Sequence, residues 1–190
     1  MVHALHALAR SAPAALPNAH VMARTPHSAR DLASGLGPGP FAAVVVYISP
    51  DADLPALAAG LAAQFGPCPV IGCTSAGEIS ADGYTEGEIV AVGFPAHLFA
   101  ACTLRVDHLD RLQPQDLIGQ VIRMRAAFER ARPDWEHEFA FLMVDGLSLR
   151  EDELTATLAN GLGPVPLFGG SAGDGMRFGQ TFALHTWKIL

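Results

Sequence analysis

The chain has 190 residues, a formal net charge of −7 and an apolar half, enough for one medium domain or two small lobes sharing a core. Its 32 alanines against 14 aromatics suit small-residue helices packed on sheet, not a cage of large rings. Charged residues at 16 % exclude a disordered chain, and the acidic balance argues against nucleic acid or an anionic membrane as a bulk partner.

No apolar run reaches the ~18–20 residues that a membrane-spanning helix needs. Cys68, Cys73 and Cys102 form no CxxC pair and leave an odd thiol, which fits a reducing, cytoplasmic setting. Residues 1–30 carry Arg10, Arg24 and Arg30 with no acid, and Pro13, Pro17 and Pro26 interrupt them. They lack the apolar core of a secretory signal, so they read as a poorly ordered leader ahead of a domain over 31–190.

The domain opens on an apolar strand, Val44–Ile48, then an amphipathic helix carrying Leu57 and Leu61 at i, i+4 spacing. Gly66-Pro67-Cys68-Pro69 ends that helix, since Gly suits the C-cap and Pro cannot continue a helix. A short buried strand at Val70-Ile71 leads into a Gly/Ser turn. Glu88–Phe94 and Phe99–Val106 then read as a β-hairpin, with Asp82-Gly83 and Pro95 marking turns. A helix over Gln113–Arg132 follows, its apolar stripe made of Leu117, Val121, Met124 and Phe128.

From there the pattern recurs. At an offset of 97 residues, Ala43–Gly72 lies on Ala140–Gly169 without a gap. The second copy has its strand at Phe141–Val144, its helix pair Leu154 and Leu158, its Gly163-Pro164-Val165-Pro166 stop, and a short buried strand at Leu167-Phe168. The predicted fold is α/β, a mixed parallel/antiparallel sheet built from a duplicated β-α-β-plus-hairpin unit. A layered sandwich of two sheets is the alternative arrangement. By the internal standard of the first copy, the second is truncated: Thr181–Leu184 stands for its first hairpin strand, with no partner strand or long helix after it. That predicts a bare apolar edge at Phe182, Leu184, Trp187, Ile189 and Leu190, and self-association or aggregation through it.

The two turns are the candidate site. The first holds Gly72, Cys73, Thr74, Ser75, Gly77 and Glu78, the second Gly169, Gly170, Ser171, Gly173 and Asp174. Glycines let a ligand approach the backbone, successive free N–H groups form an anion-binding concavity, and the hydroxyls of Thr74, Ser75 and Ser171 add donors for a carboxylate or amide. Packing of two halves is the plainer use of such small residues. Gly169-Gly170-Ser171-Ala172-Gly173 matches the nucleophile elbow of hydrolases, but only Asp174 and His185 follow it as partners. Neither turn is a P-loop or a dinucleotide fingerprint. Glu78 and Asp174 could pair as two carboxylates, though no second acid flanks either. His97, His108, His137 and His185 are scattered, with no zinc spacing. No catalytic set and no metal site emerge.

The runs PVIGCTSAGEISADGYTEGEIVAVGF, VVVYISPDADLPALAAGLAAQFGP, HEFAFLMVDGL and PLFGGSAGDG occur in an order that resembles the FIST N-terminal domain. The resemblance spans roughly residues 30–186. It implies a non-catalytic sensory input module of prokaryotic signal transduction that binds a small molecule such as an amino acid and signals to a partner such as a histidine kinase. It implies no fixed cofactor; some members bind haem, for which one axial histidine suffices. The alternative class is an enzyme acting on a small acidic or acyl substrate through Ser171 or Cys73. Two loops converging on one concavity, with no base in reach of a hydroxyl or thiol, would favour the sensor.

Overall fold

In the computed structural model, which describes residues 2–9 as backbone and residues 15–80, 82–177, 179–186 and 188–189 in full, strands outnumber helices. In chain order the strands are β1 (Val2–Ala9), β2 (Asn18–Met22), β3 (Phe41–Ile48), β4 (Val70–Thr74), β5 (Glu78–Ser80) and β6 (Gly83–Thr85). Then come β7 (Glu88–Pro95), β8 (Phe99–Val106), β9 (His137–Asp145), β10 (Leu167–Ala172), β11 (Ala183–His185) and β12 (Lys188–Ile189). The helices are α1 (Ser28–Leu36), α2 (Leu54–Phe65), α3 (Pro114–Ala131) and α4 (Glu151–Leu162).

The strands form a six-stranded sheet in the order β12-β11-β4-β3-β7-β2 and a four-stranded sheet in the order β10-β9-β1-β8, with β5 and β6 as a separate small hairpin. Both larger sheets are mixed. The β3–β4 and β9–β10 pairs are parallel, while β7 and β2 run antiparallel, as does β1 against both its neighbours.

Alternation along each strand builds three apolar layers. On β3, Val44, Val46 and Ile48 face α1 and α2, meeting Leu32, Leu57 and Leu61, while Ala43 and Val45 face the other sheet. On β9, Ala140, Leu142 and Val144 face α3 and α4, meeting Leu117, Val121, Leu154 and Leu158, while Phe141 and Met143 face inward. The two sheets therefore stack face to face, with a helix pair outside each. Leu61 and Leu154 are fully enclosed, and burying such a side chain contributes about 1.5–3 kcal/mol. Asp53 caps α2 by accepting the Ala56 amide at 3.0 Å, and Gly66 and Gly163 close α2 and α4 at φ 54° and 63°, as their Gly-Pro signals predict.

The two β-α-β units share element order and parallel pairing, yet their registers differ by one residue. Val44 pairs with Val70, whereas Ala140, not Phe141, pairs with Leu167. The gapless alignment holds for the helices and for β4 against β10 but puts β9 one residue out of step. Since side chains alternate with period 2, that slip swaps the faces: Val44 lies under the helices and its aligned counterpart Phe141 lies between the sheets.

Three expectations need correction. First, β7 and β8 are not a hairpin. β7 joins the six-stranded sheet beside β3, the chain turns over Pro95–Leu98, where the Leu98 amide donates to the Pro95 carbonyl at 3.0 Å, and β8 joins the opposite sheet. Folding the second strand across buries the inner face of both sheets, which a flat hairpin would leave bare.

Second, within the stretch read as a poorly ordered leader, residues 2–9 form β1, residues 18–22 form β2 and residues 28–30 start α1. β2 borders β7, and β1 lies between β8 and β9, pairing Leu5 with both Thr103 and Phe141. Third, β11 is not the bare apolar edge that the repeat predicts, because it lies between β12 and β4. It runs antiparallel to β4, and β1 holds the place beside β9. Its apolar side chains are covered: Leu184 is buried, and Ile189 packs against the α1–α2 layer. Trp187 and Leu190 lie outside the described residues.

Candidate functional site

The two turns meet. Gly173 N–H donates to the Thr74 carbonyl at 2.9 Å, and a cleft of about 720 Å³ opens beside the junction, between the inner faces of the sheets. Of the residues read as a site, Cys73, Ser75, Gly77, Gly169, Gly170, Ser171 and Gly173 line it. Tyr47, Ala76, Tyr84, Phe141, Met143 and Phe168 complete the wall and were not singled out from the sequence. Another groove, of about 750 Å³, lies along α1 and α2, so the cleft is not the largest concavity.

Gly72, Thr74, Glu78 and Asp174 take structural places instead. A Cβ on Gly72 would sit 2.5 Å from the Val46 carbonyl oxygen, so glycine there permits close strand pairing. Thr74 is buried, and its Oγ1 accepts the Phe182 amide at 3.0 Å. Glu78, 2 % exposed, accepts from Ser75 Oγ at 2.7 Å and from the Glu88 amide at 3.2 Å. Asp174 accepts the amides of Gly179 and Gln180 at 2.7 and 2.9 Å and so ties down the segment leading to β11. The two carboxylates organise separate loops and do not act as a pair.

The predicted anion concavity also changes character. The amides of Thr74, Ser75 and Gly173 are already bonded, to the carbonyls of Phe182, Ile48 and Thr74. Gly169, Gly170 and Ser171 belong to β10 rather than to a turn, and that strand is an exposed edge. Phe168, expected to be buried, is 53 % exposed and stands at the cleft, its ring 5.5 Å from Phe139 and 5.3 Å from Phe141. The hairpin β5–β6 flanks the cleft with Ile79 and Tyr84 as an exposed cross-strand pair. Tyr84 OH passes close over Gly77, where an added Cβ would push the exposed ring aside.

Among the described residues no charged side chain lines the cleft. Burial pushes the Cys73 thiol up to about 12 and raises the Tyr47 phenol, so both stay protonated near neutrality. Ser75 Oγ donates to Glu78, Tyr84 OH to Glu86 at 3.4 Å, and Ser171 Oγ to Glu151 at 3.5 Å. Carboxylates thus do reach two of the serines, but among the described residues no imidazole or ammonium is hydrogen-bonded to Ser75, Ser171 or Cys73. Burial keeps Cys73 protonated, and a thiol in that state is a poor nucleophile. Among the described residues no group of His, Cys, Asp and Glu could hold a metal ion, and no helix is long and apolar enough to cross a membrane.

What fold and cleft define is a class: an α/β chain with two stacked mixed sheets between helix pairs, and an opening lined by aromatic, small and hydroxyl side chains where the sheets part. The family model of the FIST N domain matches residues 42–190, and the chain belongs to that family, whose domain is associated with signal transduction. No curated protein and no solved structure matches it.

Proposed function

We propose that the chain is a non-catalytic, small-ligand-binding input domain of a cytoplasmic prokaryotic signal transduction protein, with a partner such as a histidine kinase reading its state. The observation that carries this reading is the convergence of two sequence-distant loops, 72–78 and 169–174, on one cleft lined by uncharged groups. Their contact at Gly173 and Thr74 lets occupancy of the cleft bear on both sheets at once. Family membership supports the signalling role.

The test is a thermal-shift screen of small molecules on the chain and on its Ser171→Ala variant. A true ligand at 100 times its Kd adds about 2.7 kcal/mol of stability. Ser171 is exposed, so its truncation should weaken that shift while leaving the unliganded midpoint nearly unchanged. A screen whose hits shift wild type and variant alike would place the ligand elsewhere and sink the proposal.

A further inference from the structure

The chemistry of the cleft wall narrows what it can hold. An amino acid brings an ammonium and a carboxylate, and each needs a partner when water is stripped away. Among the described residues the wall carries no charged side chain to meet them. It has instead two exposed aromatic surfaces, Phe168 at 53 % and Tyr84 at 68 %, where the other described Phe, Tyr and Trp rings are buried or half-buried. Phe168 is braced from behind by Phe139 and Phe141, so one face is held while the other is open. Such a braced ring is a stacking platform.

Three of the four described wall hydroxyls add polarity of one sign. Ser75, Tyr84 and Ser171 each spend their proton on a glutamate, at 2.7, 3.4 and 3.5 Å, and so offer lone pairs to anything in the cleft. The carboxylates of Glu78, Glu86 and Glu151 stand directly behind those oxygens, which makes the rim unfavourable for an anion. Tyr47 OH, with no partner among the described residues, is the one side-chain hydroxyl free to donate.

Resting on the proposed ligand-binding role of the cleft, we propose that its ligand is a planar ring compound without negative charge that carries an N–H or O–H donor, stacked on Phe168 and donating to the serine oxygens, and not an amino acid or an anion. Space is open at Gly170, where an added Cβ meets nothing within 4 Å, so a ring can reach Phe168 over that stretch of the strand edge.

The experiment uses the full chain labelled at its methionine methyls, with Met143 in the cleft wall as reporter, titrated with indole, 1-methylindole, indole-3-acetate and L-glutamate. Indole should shift Met143. The 1-methyl compound, which lacks the donor, and indole-3-acetate, which adds the charge, should each bind at least tenfold more weakly. Phe168→Ala should weaken indole at least tenfold. Gly170→Arg should reverse the order in favour of indole-3-acetate, and a matching melting temperature for each variant shows that it folds. Equal binding of 1-methylindole, or Phe168→Ala without effect, overturns the inference. A Met143 shift that is as strong with indole-3-acetate or glutamate overturns it too, yet leaves the cleft as a ligand site. If no probe moves Met143, the inference and the reading of the cleft as a ligand site both fall.

Discussion

Ser75 Oγ lies 2.7 Å from Glu78 Oε1, and this bond closes the turn that joins the six-stranded sheet to the β5–β6 hairpin. The second oxygen of Glu78 holds the Glu88 amide at 3.2 Å, so one buried carboxylate fixes both ends of the hairpin. Removing it leaves a hydroxyl and a buried amide unpartnered. Glu78→Ala should cost about 1–3 kcal/mol, and Ser75→Ala nearer 1 kcal/mol. Urea unfolding measures both, and a Glu78→Ala midpoint within error of wild type would refute the assignment.

Gly169 and Gly170 look interchangeable in sequence and are not. Gly169 has φ +151°, and a Cβ there would strike the Leu142 carbonyl oxygen, while Gly170 has open space around it. Gly169→Ala should destabilise by several kcal/mol through strain and separation of β9 from β10. Gly170→Ala should fall within about 0.5 kcal/mol of wild type. Equal melting temperatures for the two variants would contradict the strand geometry.

The Cys73 thiol titrates near 9.0 when the chain is unfolded and is pushed up to about 12 by burial when folded. The raised folded value means that the stability it contributes is whole below pH 9 and drains away as pH climbs from 9 toward 12, where the unfolded thiol ionises first. Cys73→Ala should flatten that alkaline slope. In the folded protein at pH 8, alkylation of Cys73 should be far slower than in urea, because too little thiolate forms.

His185 works at the other end of the scale. Burial, and then the Arg105 guanidinium, lower its pKa from 6.5, while Asp107 opposes them. Its ring nitrogen lies 3.2 Å from Thr103 Oγ1 and ties β11 to β8 across the two sheets. The lowered folded value makes its contribution complete above about pH 6.5 and progressively lost as pH falls below that, since the unfolded chain takes up the proton first. His185→Gln should remove this part of the acid slope. An unchanged slope between pH 6.5 and 5 in chemical unfolding would rule the imidazole out.

β1 pairs with β8 and β9 over eight residues on each side. Deleting residues 1–9 should therefore split the four-stranded sheet and end cooperative unfolding, where loss of a mere leader would change nothing. Calorimetry of the shortened chain decides between the two.

Periodicity made the helices and most strands legible. Leu57 and Leu61, Leu154 and Leu158, and Leu117 and Val121 all face the core as their spacing predicts, and the Gly-Pro stops fall at the ends of α2 and α4. The turns could be found too, because small residues after an apolar run leave a strong local mark. Local marks are silent on which surfaces meet. Whether Phe99–Val106 pairs with the preceding strand or crosses to the opposite sheet depends on which arrangement buries both inner faces, a term summed over strands far apart in the chain. The same holds for Val2–Ala9, whose alternation is too weak to announce a central strand until β8 and β9 stand open on either side. A slip of one residue in β9, invisible to a gapless alignment, moved Phe141 between the sheets. The composition of the turns was set by the sequence itself. Which side chains face the cleft, and which carboxylates take their protons, was settled only when residues about a hundred positions apart were packed together.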